Sequence, residues 1–181
     1  MNNVVVLEDA GAQSLPTFAT FTAGPADEAA QAPTYALTAN PAALFAVPPT
    51  IAPNGTLTFT PAANGNGSAT VTVIVADDGG TANNGGDRST NSFTITVTAV
   101  NDPPTVAFLT NHFVVLEDAS SQTLAGFAAF TAGPADEAAQ TPVYALTTDN
   151  AVLFSVPPAL APDGTLTFTS ATNANGVATL T

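Results

Sequence analysis

The chain has 181 residues, with fourteen acidic side chains against a single Arg88, no lysine and a formal net charge of −13. Such a surface repels polyanions, which excludes nucleic acid and acidic membrane surfaces as partners, since both need clustered Lys and Arg. Cysteine is absent and His112 is the only imidazole, so a disulfide framework and zinc or copper sites are unsupported, and a nucleophilic catalyst would have no repeated base.

Taken in order, the chain alternates short runs of Thr, Val, Phe and Ile with turn residues, fifteen Pro and thirteen Gly among them, and shows no 3.6-residue apolar spacing. This predicts an all-β fold. Strands are expected over 4–7, 13–22, 34–38, 44–47, 56–60, 68–75 and 92–100. Period-two alternation points Leu57, Phe59, Val71, Val73, Phe93, Ile95 and Val97 into a core and leaves the threonines in water. Seven short strands in about a hundred residues is the count of an immunoglobulin-like antiparallel sandwich. Asn54-Gly55 and Asp163-Gly164 read as turns. Pro48-Pro49 and Pro157-Pro158 lack amide hydrogens and belong at a sheet edge or in a loop.

After the linker Val100-Asn101-Asp102-Pro103-Pro104 the text restarts. Adding 109 to a residue number aligns 4–72 with 113–181 without a gap, and 47 of these 69 pairs are identical. Recurring Phe18, Phe21, Phe45, Phe59 and Tyr35, with Phe127, Phe130, Phe154, Phe168 and Tyr144, are expected to be core. The period defines two repeats, residues 1–101 and 102–181, the second expected to be incomplete at its C-terminus because 73–100 has no counterpart. No apolar run approaches the roughly 18 residues of a membrane span, and any export signal is expected outside this segment.

Strand alternation places the acids. Glu8 and Asp9 fall at one end with Asn101 and Asp102, while Asp27, Glu28, Asp77 and Asp78 fall at the other. Repeats in series would then bring Glu8, Asp9, Asn101 and Asp102 against Asp136 and Glu137. Carboxylates crowded without Lys or Arg repel one another unless a hard cation sits among them, and calcium takes six to eight oxygen ligands. A calcium site drawn from these ten residues is therefore expected.

The linker, the Val6-Leu7-Glu8-Asp9 start, the run from Asn54 to Asn64 and the Asp77-Asp78-Gly79-Gly80 turn together resemble the cadherin-like tandem repeats of large bacterial surface proteins and adhesins. The resemblance implies an extracellular, cell-surface location and calcium ligation by Asn101, Asp102, Glu8 and Asp136. One departure stands out: Asn64-Gly65-Asn66-Gly67 occupies the place of an acidic motif, so one or two ions per joint are expected. The function expected is a structural or adhesive rod, not an enzyme, whose partners are neighbouring identical repeats and a cell-surface or glycan ligand. The alternative is a self-assembling filament subunit whose second sandwich is completed by a strand from a neighbouring chain.

Overall fold

The computed structural model describes residues 3–82 and 85–181, and the chain divides into two compact units, Met1–Val100 and Asn101–Thr181. The division falls one residue before the boundary read from the repeat.

The first unit contains β1 (Val4–Leu7), β2 (Gln13–Leu15), β3 (Thr34–Asn40), β4 (Phe45–Ile51), β5 (Leu57–Pro61), β6 (Gly67–Ala76) and β7 (Arg88–Thr98). They form a four-stranded sheet of order β1-β7-β6-β3 and a three-stranded sheet of order β2-β5-β4. All pairings are antiparallel except β1 with β7, which run parallel from Val4 beside Ile95 to Leu7 beside Thr98. The inner faces share one core: Leu57 and Phe59 from one sheet meet Val71, Val73, Phe93, Ile95 and Val97 from the other, every one of them buried. Alternation alone identifies these side chains, because consecutive strand residues face opposite sides of the sheet. The result is sandwich-like, with threonine on the wet faces.

The second unit contains β8 (Thr105–Phe108), β9 (Gln122–Leu124), β10 (Ala128–Thr131), β11 (Phe154–Leu160) and β12 (Leu166–Ser170). Its three-stranded sheet, β11-β12-β9, repeats the β4-β5-β2 arrangement at an offset of 109 residues, and β8 pairs with β10 as a separate ribbon. Phe154 stands edge-on to Phe168 at 5.7 Å, as Phe45 does to Phe59 at 5.8 Å.

Three strand expectations need correction, the simplest being 92–100, which runs instead from Arg88 to Thr98 because its pairing with β6 already begins at Arg88. The run 13–22 is not one strand: β2 stops at Leu15, because Pro16 cannot donate and Thr17 adopts φ 54°. The equivalent position in the second unit, Gly126, has φ 66° and separates β9 from β10. The expected strand 44–47 runs on through Pro48-Pro49 to Ile51. It can do so because β4 is an edge strand and its register slips between Val47 and Thr50, so neither proline owes the ladder a hydrogen bond. β11 does the same at Pro157-Pro158. Among the described residues no helix is long and apolar enough to cross a membrane.

Candidate metal centre

The acidic residues singled out by the repeat divide into three groups, each built by its own local structure. Glu8 leaves β1 directly beneath the parallel pairing, its amide donating to Thr98 O at 2.9 Å. Its side chain is only 2% exposed. Val100 N–H donates to Oε1 at 2.7 Å and Asn66 Nδ2 to Oε2 at 3.3 Å, so both carboxylate oxygens have donors. Asp9, at φ 59°, is exposed and accepts from Asn64 N–H at 3.1 Å. Its carboxylate pins the 62–65 turn. Asp118 does the same for Asn173 at 2.8 Å.

A second group lies around the β6–β7 connection and the short 3-10 turn Ala26–Glu28. Asp77 Oδ1 accepts from Gly79 N–H at 2.9 Å, a local Asx turn, and Asp78 Oδ1 accepts from Ala32 N–H at 3.0 Å, tying that loop to the segment after Glu28. Asp27 is exposed and Glu28 half-buried. The Glu28 carboxylate lies over Gly24, φ 137°, where a Cβ would collide with it.

The third group opens the second unit. Asp136 is exposed in the 3-10 turn Ala135–Glu137, but Glu137 is turned inward and 5% exposed. Asp102 N–H donates to Glu137 Oε1 at 2.5 Å. Asn101 Oδ1 accepts from Gln140 Nε2 at 2.9 Å. A Cβ on Gly133, φ 153°, would run into the Glu137 carboxylate and stand 3.4 Å from Asp102 Cβ. The missing side chain is thus what leaves room for the Glu137 carboxylate at this spot. The Asp102 Oδ2 and Glu137 Oε2 atoms are both buried, and Glu137 Oε2 accepts no hydrogen bond. A buried carboxylate oxygen without a donor is costly, because desolvation removes the water that would have served it.

Among the described residues no three His, Cys, Asp or Glu side chains converge to hold a metal. What the structure gathers is smaller: Asp102 and Glu137, with Asn101 and Gln140 beside them. Glu8, Asp9, Asp77 and Asp78 are engaged by N–H donors, as described above. Sequence reasoning passed over Gly133, Gln140 and Asn66. The signal for the first two was present, since Gly24 and Gln31 recur as Gly133 and Gln140 at the repeat offset.

No protein-family model matches the chain, and no curated protein matches it.

Proposed function

We propose that this chain is a structural and adhesive module of an extracellular rod, made of immunoglobulin- or cadherin-like sandwich repeats in series, with calcium holding the linker Asn101-Asp102 to the repeat that follows it. The reading is carried by one observation: Glu137 Oε2, buried beside Asp102 and served by no donor. A divalent cation there would replace the missing donor and offset the repulsion of two acids at once. The two carboxylates and the Asn101 amide oxygen would offer oxygen donors alone, which suits calcium and not a softer metal. With a lone Arg88 and no lysine in the chain, no internal ammonium competes for the place. Glu8, Asp9, Asp77 and Asp78 act in this reading as acceptors that tie loops and linker to the fold.

Calcium titrated into the isotope-labelled chain should shift the amides of 101–102 and 136–140, with a dissociation constant of roughly 10⁻⁴ to 10⁻³ M. At a hundredfold excess over that constant the second unit should gain about 2.7 kcal/mol. Glu137→Gln should abolish the response. If these amides ignore calcium in the wild-type chain, the metal reading is lost. Solution scattering with and without chelator tests the stiffening separately.

A self-assembling filament subunit is the second reading. It is supported by apolar side chains in the second unit that no strand covers: Val114 at 79% exposure, Leu116 at 80% and Val143 at 96%. Sedimentation over a wide concentration range separates a monomer from a growing polymer.

A further inference from the structure

The first unit holds an asparagine whose surroundings open it to chemical conversion. Among the described residues Asn precedes Gly at 54–55, 64–65, 66–67 and 175–176. In such a pair the glycine nitrogen can attack the asparagine side chain, because no Cβ obstructs the approach and the backbone bends easily. The pairs differ in how firmly the fold holds that glycine. Gly55 is hemmed in, with the Ala19 carbonyl where a Cβ would stand, and its amide donates to Ala52 O at 2.8 Å. Gly65 lies against Ala62, whose carbonyl takes its amide at 3.1 Å. Gly67 instead opens β6 at φ 126°, and nothing lies within 4 Å of where its Cβ would be. Asn66 before it is exposed, so water reaches the group that would react.

Asn66 also faces a buried acid. Its Nδ2 donates to Glu8 Oε2 at 3.3 Å, and Glu8 holds Val100 N–H with its other oxygen at 2.7 Å. One amide group thus touches the carboxylate that clamps the last residue of the first unit. Turning that amide into a carboxylate removes the donor of Oε2 and sets a second negative charge against the first. Like charges at hydrogen-bonding distance repel, and a buried carboxylate has little water to screen them. An isoaspartate product does more, since it adds one carbon to the backbone just before the β6 ladder, whose register starts with Gly67 beside Val97. At Asn54 the change is mild: the second unit carries Asp163 in that place and keeps the turn, with Gly55 and Gly164 at φ 81° and 80°. For Asn175 the counterpart of Glu8 is Glu117, which is exposed.

We propose that Asn66 is a deamidation site whose conversion releases the clamp on Val100, a one-way change at the root of the linker. The Gly67 nitrogen bonds to Asn66 Cγ and gives up its proton, the Cγ–Nδ2 bond breaks, and the departing group takes that proton and leaves as ammonia. Water then opens the cyclic succinimide at either carbonyl, giving aspartate or isoaspartate at position 66. The conversion is independent of calcium at Asp102 and Glu137, and a chelator should not prevent it.

The test is to incubate the full isotope-labelled chain in chelator at neutral pH and physiological temperature and follow each Asn-Gly pair by peptide mass spectrometry. A methyltransferase specific for isoaspartate reads that product. Conversion at Asn66 should run at least tenfold faster than at Asn54 or Asn64, and hydrogen exchange at the Val100 amide should quicken at least tenfold in the converted fraction. Asn66→Asp, made directly, should quicken the same amide without incubation while the Phe59 and Phe93 signals stay native, and Asn54→Asp should leave it unchanged. If Asn66→Asp does not fold, the converted fraction of the wild-type chain decides. Equal conversion at the three pairs, or a Val100 amide indifferent to the change at 66, would overturn the proposal.

Discussion

Glu8 and Glu117 are preceded by the same Val-Val-Leu and followed by the same Asp-Ala, and they end in opposite environments. Glu8 is buried and holds the amide of Val100, whereas Glu117 is exposed. The difference lies in what stands next to each. Val4–Leu7 is a strand because β7 runs beside it, and the equivalent stretch 113–116 belongs to no strand. Phe18 and Phe127 part ways for the same reason: Phe18 packs 4.7 Å from Phe93 of β7, while Phe127 packs against Phe108 and Phe113 instead. What the units share is local or confined to the three-stranded sheet. The Asp9 and Asp118 links, the Gly55 and Gly164 turns at φ 81° and 80°, and the Phe45–Phe59 and Phe154–Phe168 pairs recur almost unchanged. The environment of Glu8 thus depends on β7 running beside β1, whereas the turns and aromatic pairs of the three-stranded sheet recur in both units.

That contrast can be broken by experiment. The largest effect should come from the shared part: Phe59 and Phe168 are each 2% exposed, so Phe59→Ala and Phe168→Ala should each cost about 3–5 kcal/mol. Residue-resolved urea denaturation should show the loss confined to the unit that carries the change, and a loss spread equally over both would contradict independent cores. Glu8→Gln comes next. The amide can still accept from Val100 but turns its own donor toward Asn66 Nδ2, and the expected loss is about 1–3 kcal/mol in the first unit. Glu117→Gln, on the surface, should stay within about 0.5 kcal/mol. Equal losses from the two would show that the burial of Glu8 is incidental.

The smallest effect concerns pH. Asp163 accepts the Thr165 amide at 2.9 Å, and this hydrogen bond holds its carboxyl below the usual aspartate range. A depressed folded pKa contributes stability that is present above the unfolded value, about 4, and is lost as pH falls through the folded one. Asn54 makes the same bond to Thr56 at 3.0 Å and does not titrate. On acidification the Thr165 amide resonance should therefore move and the Thr56 resonance should not, and Asp163→Asn should remove the difference.

Much of the architecture was legible from residues that act locally. Alternation at 57–59, 69–75 and 93–97 marked the buried face of the first unit, and the proline pairs marked edge strands, because side-chain direction and the missing amide are properties of the segment itself. The break after Leu15 was signalled by Pro16, which cannot donate to a ladder, whereas the positive φ of Thr17 beside it has no sequence signature. The site was less legible. Acid placement by strand alternation said which residues share an end of the fold, but it could not say that Asn66 and Val100 supply the donors of Glu8, or that Gly133 leaves room for Glu137 beside Asp102.

Taken alone, the residues determined that the chain is all-β, that it carries one text twice, and which side chains turn inward. Those follow from the two-residue period of a strand and from direct comparison of the copies. Only the tertiary structure decided which of the chemically equivalent acids are buried, which carry donors and which strand edges are paired. A carboxylate's environment is set by the segments that pack over it, dozens of residues away along the chain, and no pattern within the segment encodes them.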